Sequence, residues 1–88
     1  MWPLTGIRRS HRADAVVTGA GSGIGAAFAR ELSKRGSRVV CSDIDSVAAK
    51  RVAAEITDAG GTATAVHCDV SQIDDMNNLA AQSQSWFG

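Results

Sequence analysis

Apolar residues follow one another in three short runs that are separated by longer amphipathic segments. The runs, rich in Val, Ala and Cys, predict buried strands at about 13–18, 38–42 and 64–68. In the segments between and after them, apolar residues return every three or four positions, which is typical of helices. The predicted helices cover about 24–35, 45–59 and 71–87. The predicted element order is therefore βαβαβα.

Residues that favour helix ends stand where the predicted helices begin and end. Gly36 follows the first helix as an expected C-terminal glycine. Asp45 or Ser46 can cap the second helix, and Ser71 with Asp74 has the spacing of a capping box for the third. The side chains of the third helix that we expect to face the sheet are Ile73, Met76, Leu79, Ala80, Ser83 and Trp86 or Phe87.

The connections between the predicted strands are long enough to hold a helix. Such crossovers join parallel strands and are right-handed in nearly all proteins, which places the strands in the order 3-2-1. The predicted fold class is α/β. It is a partial Rossmann-type doubly wound parallel sheet, the first half of a three-layer α/β/α domain, covering residues 13–88 and ending before a fourth strand.

The 88 residues make one small domain at most, with zero net charge. Residues 1–12 carry three arginines and no acid, so we expect a basic, disordered leader there, with a mitochondrial presequence as the alternative. The remaining residues have a net charge of −3, which argues against a nucleic-acid surface. No apolar run approaches the ~20 residues of a membrane span. We therefore expect a cytoplasmic protein that binds neither nucleic acid nor membrane.

Cys41 and Cys68 fall in or beside predicted strands, where buried reduced thiols are expected and a disulfide between neighbouring strands is the alternative. The sequence has no CxxC motif, and its histidines are His11 and His67. It therefore predicts no metal site.

A glycine-rich stretch joins the first predicted strand to the first predicted helix. It reads Thr18-Gly19-Ala20-Gly21-Ser22-Gly23-Ile24-Gly25. Glycines allow a tight turn and let a pyrophosphate approach the backbone with no Cβ in the way. The N-terminus of the helix then offers N–H groups and the positive end of its dipole to the anion. The stretch therefore predicts a dinucleotide site.

Two acids follow the second and third predicted strands. Asp43 lies 18 residues after Gly25, close to the ~20-residue spacing at which an acid accepts the ribose hydroxyls of a dinucleotide. Its charge would repel a 2′-phosphate, so NAD is favoured over NADP, the alternative being that Asp43 is simply a solvated loop acid. Asp69 with the Val70 backbone is expected to line the adenine pocket, although Asp69 could instead cap the next helix.

Two further polar residues near these motifs have competing interpretations. Asp45 is expected to cap the second helix rather than bind a ligand. The Ser22 hydroxyl could bind a phosphate or stabilise the turn, and the sequence does not favour either.

Taken together, these motifs resemble the short-chain dehydrogenase/reductase family over residues 13–88. The resemblance rests on Thr18-Gly19-x-x-x-Gly23-x-Gly25, on Asp43 and on Cys68-Asp69-Val70. It implies a phosphate turn made by Gly19, Gly23 and Gly25, with Ser22 and Ile24 touching the cofactor. It also implies that Asp43 binds the adenosine ribose and that Ile44, Asp69 and Val70 lie beside the adenine. Members of the family transfer hydride between a nicotinamide and a hydroxyl or carbonyl carbon.

The sequence departs from the family in the residues that perform catalysis. The family uses a Tyr-x-x-x-Lys pair and a Ser, yet this sequence contains no tyrosine, and its lysines are Lys34 and Lys50. Asp14 also stands where the family usually has an apolar residue. We therefore expect the N-terminal, cofactor-binding half of an NAD-dependent enzyme, inactive alone. The alternatives are a non-catalytic NAD-binding or interaction module and a truncated product without a function.

Half of a doubly wound sheet has a further expected property. The first strand would lie in the middle of the complete sheet, so in this half one of its sides has no neighbour. An apolar unpaired edge favours association between copies, which predicts self-association and marginal stability.

Overall fold

The computed structural model describes residues 14–88, and the predicted leader over 1–12 lies outside the described residues. The strands are β1 (Asp14–Thr18), β2 (Arg38–Asp43) and β3 (Thr62–His67). The helices are α1 (Gly23–Lys34), α2 (Ser46–Asp58) and α3 (Ile73–Phe87). The βαβαβα order is confirmed. The boundaries move by one or two residues, most visibly in β3, which begins two residues earlier than the apolar run because Thr62 pairs with Arg38.

The three strands form one parallel sheet in the order β1-β2-β3. The register places Asp14 beside Arg38 at the amino ends of β1 and β2, and Asp43 beside His67 at the carboxyl ends of β2 and β3. The strand order and the partial Rossmann-type fold are therefore confirmed. This register also brings the loops that follow the three strands to one edge of the sheet, where doubly wound folds bind ligands.

Alternate residues of β2 supply the cores on the two faces of the sheet. Val39 and Cys41 pack with buried side chains of α1 and α2, among them Leu32. Val40 faces the other way, where it packs with Val66, Cys68 and Leu79, so α3 covers that face. A strand that is apolar on both faces is the pattern expected of a parallel strand covered by helices on both sides.

The start of α3 differs from the predicted capping box. The N-cap is Gln72, whose side chain makes no capping hydrogen bond. The Ser71 hydroxyl instead donates to Asp69 Oδ1 at 2.7 Å, and Asp75 Oδ2 accepts from the Asp69 N–H at 3.0 Å. The capping-box prediction was wrong because the Ser71 hydroxyl is hydrogen-bonded to Asp69 in the preceding loop, and the helix begins one residue later than the capping box requires.

The predicted inner face of α3 is partly wrong as well. Leu79 and Ser83 are buried, and Phe87 packs partly against the second core. Ile73 is 73% exposed and Met76 is 38% exposed, because the described sheet extends under only part of the helix. Ala80 and Trp86 are also exposed.

The charge at the start of β1 has a partner on the neighbouring strand. Both Asp14 carboxylate oxygens accept from the Arg38 guanidinium, from Nε at 2.8 Å and from Nη2 at 2.8 Å. The guanidinium carbon of Arg38 also lies 5.3 Å from the centre of the Phe87 ring. This group ties β1, β2 and the end of α3 together at the edge opposite the strand carboxyl ends.

Both cysteines are free and buried, as expected. Burial raises the pKa of the Cys41 thiol to about 11, since the thiolate would have no water around it. None of the helices within 14–88 is both long enough and apolar enough to cross a membrane.

Candidate functional site

Backbone hydrogen bonds join the three loops at the carboxyl edge of the sheet. The Ala20 N–H donates to the Ser42 carbonyl at 2.9 Å, which fixes the glycine turn against the end of β2. The Cys68 N–H donates to the Asp43 carbonyl at 3.1 Å, which fixes the end of β3 against the same strand. The structure therefore brings the glycine turn, Asp43 and Asp69 to adjoining loops, as the sequence predicts.

Gly19 and Gly23 have the backbone conformations that make the turn possible. Their φ angles are +68° and +60°, in the left-handed region that side chains disfavour. No heavy atom lies within 4 Å of where a Cβ would be at either residue, so the space beside both is open. A phosphate group can use this space.

Gly25 has a different reason to lack a side chain. A Cβ there would collide with the Gly19 carbonyl oxygen, because the first turn of α1 packs directly on the glycine turn. This close approach places the N-terminal N–H groups of α1 beside the open space at Gly19 and Gly23.

Donors are available at the start of α1. Ser22 is the N-cap, with extended backbone, and its side chain makes no capping hydrogen bond. The Ile24 side chain is 88% exposed at the same place. The N–H groups of this first turn and the helix dipole suit an anion such as a pyrophosphate. The residues present therefore fit a dinucleotide.

Asp43 is fixed at the glycine turn rather than free in solvent. Its Oδ2 accepts from the Gly21 N–H at 2.8 Å, and its Oδ1 accepts from the Asp45 N–H at 3.0 Å. The carboxylate is therefore anchored both to the glycine turn and to the loop that follows β2. Each carboxylate oxygen keeps a further lone pair that can accept a ribose hydroxyl.

Asp45 serves as the N-cap of α2, as predicted. Its Oδ1 accepts from the Ala48 N–H at 3.0 Å. This bond satisfies one of the otherwise unpaired donors of the first turn.

Gly21 is enclosed by three side chains. A Cβ on Gly21 would lie 2.6 Å from the Ala48 Cβ and 2.8 Å from Asp43 Oδ2, so the position has no room for one. Nη2 of Arg51 donates to the Gly21 carbonyl at 3.3 Å. Sequence reasoning missed Arg51, because its place on the polar face of α2 does not indicate that it reaches the turn.

Asp69 is organised by the loop that follows it. Its Oδ1 accepts from the Ser71 hydroxyl at 2.7 Å and from the Ser71 N–H at 2.9 Å. These bonds from Ser71 hold the pKa of the Asp69 carboxyl below its usual value. Asp69 therefore shapes the loop and does not cap α3, whose N-cap is Gln72.

Two exposed apolar side chains follow β2 and β3. Ile44 and Val70 are each 61% exposed, at neighbouring points of the carboxyl edge. Apolar side chains exposed beside a polar loop are suited to contact a flat aromatic ring such as adenine.

An apolar cleft adjoins the glycine turn on the β1 side. Its volume is about 390 Å³. The lining residues are Val17, Thr18, Gly19, Ile24, Gly25 and Phe28. Phe28 packs partly against the core beneath α1 and α2 and also forms part of the cleft wall. Within residues 14–88, no three His, Cys, Asp or Glu side chains are grouped so that they could hold a metal ion.

Residues 13–88 match the family model described as short chain dehydrogenase. The sequence is 40% identical over 74 residues to the 2,5-dichloro-2,5-cyclohexadiene-1,4-diol dehydrogenase LinX of Sphingobium indicum. It is 42% identical over 74 residues to the 7alpha-hydroxysteroid dehydrogenase of Escherichia coli strain K12. These alignments include 84% of this chain but only 30% and 29% of the two relatives.

A solved structure agrees with the sequence matches. The crystal structure of a hydroxysteroid dehydrogenase from Escherichia coli superposes with a TM-score of 0.82 and 40% identity. The superposition includes 83% of this chain and 31% of that chain, so the chain spans about a third of the structure it resembles. With the family model matched over residues 13–88, the chain belongs to the short chain dehydrogenase family.

Proposed function

We propose that this chain is the NAD-binding segment of an alcohol or ketone oxidoreductase. The observation that carries the proposal is the 2.8 Å hydrogen bond from the Gly21 N–H to Asp43 Oδ2. This bond fixes the acid that would hold the ribose against the turn that would hold the pyrophosphate. The acid and the turn are thus already joined before a ligand arrives, which lowers the entropic cost of binding.

The proposed roles follow from the surroundings of each residue. The pyrophosphate lies in the open space at Gly19 and Gly23, opposite the N–H groups of α1. Asp43 accepts the ribose hydroxyls, and the adenine lies against the exposed side chains that follow β2 and β3. The residues proposed to bind the cofactor are Gly19, Gly21, Ser22, Gly23, Ile24, Gly25, Asp43, Ile44, Asp69 and Val70.

NAD is the proposed cofactor because of the charge on Asp43. A carboxylate accepts both ribose hydroxyl protons of NAD, whereas the 2′-phosphate of NADP would bring a second negative charge to the same place. With both oxygens of Asp43 already hydrogen-bonded to backbone N–H groups, the carboxylate cannot easily turn away from such a phosphate.

The bound nicotinamide supplies hydride transfer to or from a carbon that carries oxygen. The relatives named above are dehydrogenases, so we propose an alcohol or ketone as the substrate class. These 88 residues contain no tyrosine, and we propose that they bind the dinucleotide without turning over a substrate by themselves.

Fluorescence titration of the chain with NADH tests this function. We expect saturable binding that weakens by about tenfold in Asp43→Asn, which removes the charge but keeps an acceptor for the Gly21 N–H. Gly23→Val should abolish binding, since its side chain would enter the phosphate space at a positive φ.

Asp58→Asn is the matched control. Asp58 is an exposed acid at the far end of α2, so its neutralisation should leave NADH binding unchanged. Equal binding by wild type, Asp43→Asn and Gly23→Val would contradict the proposed site.

A further inference from the structure

We propose that Arg51 is a second determinant of cofactor choice, which rests on the proposed function and adds to it. Asp43 favours the free 2′-hydroxyl of NAD. Arg51 supplies a cation on the other side of Gly21, where it would bind a 2′-phosphate once the charge on Asp43 is removed. The side chain that favours NAD and the side chain that would favour NADP are then both hydrogen-bonded to Gly21.

The hydrogen bonds of Gly21 carry this inference. Its N–H donates to Asp43 Oδ2 at 2.8 Å, and its carbonyl accepts from Arg51 Nη2 at 3.3 Å. The acid comes from the end of β2 and the guanidinium from α2, so they approach the same residue from its two polar groups. The negative side chain of Asp43 and the positive side chain of Arg51 are thus both hydrogen-bonded to the backbone of one residue in the turn.

The guanidinium of Arg51 has a charge and N–H donors that are available to bind a ligand. Three ion pairs join side chains among residues 14–88, and Arg51 takes part in none of them. One of its five N–H donors is used on the Gly21 carbonyl, and the side chain is exposed. A planar guanidinium with free donors suits two phosphate oxygens at once.

The packing around Gly21 keeps Arg51 in place when Asp43 is changed. Ala48, one turn before Arg51 on α2, lies directly against the Gly21 Cα, since a Cβ there would be 2.6 Å from the Ala48 Cβ. Arg51 therefore stays beside the turn because α2 does. Asp43→Asn leaves one oxygen, which can accept from the Gly21 N–H and so keep the bond to the turn, while its amide nitrogen cannot replace the bond from the Asp45 N–H.

The experiment compares four forms of the 88-residue chain by fluorescence titration with NADH and NADPH: wild type, Asp43→Asn, Arg51→Ala and the double variant. We expect Asp43→Asn to bind NADPH at least tenfold more tightly than wild type does. Adding Arg51→Ala should lose about tenfold in NADPH affinity and less than threefold in NADH affinity. Arg51→Lys in the Asp43→Asn background should lose less NADPH affinity than Arg51→Ala, because lysine keeps the positive charge but lacks the planar guanidinium that binds two phosphate oxygens.

Lys50→Ala in the Asp43→Asn background is the charge-matched control. Lys50 is the exposed neighbour of Arg51 on α2, and its loss should change NADPH affinity less than threefold. An equal loss of NADPH affinity in Lys50→Ala and Arg51→Ala would overturn the inference, because it would show that any positive charge on this face of α2 has the same effect. A parallel loss of NADH and NADPH binding in Arg51→Ala would overturn it in favour of a structural role through Gly21.

The results also separate this inference from the proposed function. If the wild-type chain binds NADH but Arg51→Ala does not change NADPH affinity in the Asp43→Asn background, the role of Arg51 is overturned. The proposed function is then unaffected. Wild-type chain that binds neither dinucleotide would overturn both.

Discussion

At the scale of single residues, Gly21 contacts both the packing surface of α2 and the two side chains proposed to recognise the cofactor. The space for a Cβ is taken by Ala48 and Asp43, and its backbone N–H and carbonyl are held by Asp43 and Arg51. Its need for glycine therefore comes from its neighbours in the folded chain, whereas Gly19 and Gly23 need glycine for their positive φ angles. One glycine-rich motif thus combines two physical requirements.

Gly21→Ala tests the first requirement. We expect it to lower the free energy of unfolding by about 1–3 kcal/mol, the usual cost of adding a methyl group to a filled space. Urea denaturation followed by circular dichroism measures this loss. In an Ala48→Gly background the same substitution should cost clearly less, and an equal cost in both backgrounds would show that the contact with Ala48 is unimportant.

Cys41 predicts how stability depends on pH. Its folded-state pKa of about 11 lies above the usual value near 8.5, so the folded state keeps a proton that the unfolded state loses. The stability that this provides is fully present below about pH 8.5 and is lost as the pH rises toward about 11. Urea denaturation at pH 7, 9 and 10 should show the decline. Cys41→Ala should flatten it, and identical slopes in the two proteins would contradict this role.

Spacing along the sequence predicted the place of some residues of the candidate site and missed that of others for a physical reason. Asp43 could be predicted because a parallel strand places the residue after its last apolar position at the ligand edge. Arg51 could not, because α2 exposes several polar side chains and only the packing of α2 on Gly21 decides which one reaches the turn. Phe28 packs on the core and also lines the cleft, and helical spacing alone does not show that one side chain does both.

At the scale of elements, α2 and α3 begin in different ways. Asp45 caps α2 with a hydrogen bond to the Ala48 N–H, whereas Gln72 at the start of α3 makes no such bond. In α3 the first-turn acid Asp75 reaches back to the Asp69 N–H and closes the preceding loop. The polar residues before α2 and α3 look alike in the sequence. In the structure those before α2 cap the helix, whereas Ser71 is hydrogen-bonded within the loop before α3.

The two N-caps make a matched pair for mutagenesis. We expect Asp45→Ala to lower the free energy of unfolding by about 1 kcal/mol, because it leaves a first-turn N–H without its partner. Gln72→Ala should change it by less than about 0.5 kcal/mol, as a surface substitution with no capping bond to lose. Urea denaturation of both variants measures the difference, and equal losses would contradict the assignment of the caps.

At the scale of the whole molecule, the described sheet has two open edges. β1 has a neighbour on one side, β2, and β3 lies at the opposite edge. The element order and the strand order were predictable, because right-handed crossovers leave almost no other arrangement. The exposure of α3 was harder to predict, since helical periodicity shows which side chains can be buried and not how much sheet lies under them.

We expect the 88-residue chain to self-associate through β1. Val16 is an apolar residue in the middle of this edge strand, and exposed edges pair readily with other strands. Sedimentation velocity at increasing concentration should show larger species, and Val16→Lys should shift the distribution toward monomer.

Thr64→Lys, in the middle of β3, is the control for the opposite edge and should leave the association unchanged. A monomer at all concentrations, with cooperative thermal unfolding, would contradict this prediction.

The cluster of Asp14, Arg38 and Phe87 lies at the amino ends of the strands, away from every residue proposed to touch the dinucleotide. Weakening it therefore offers a practical tool for ligand screening. A variant such as Arg38→Ala would melt at a lower temperature with its binding edge intact, and any compound that binds the folded chain would raise that temperature by mass action. Such a sensitised protein could be used to rank adenine nucleotides and their analogues in a thermal-shift assay without any substrate.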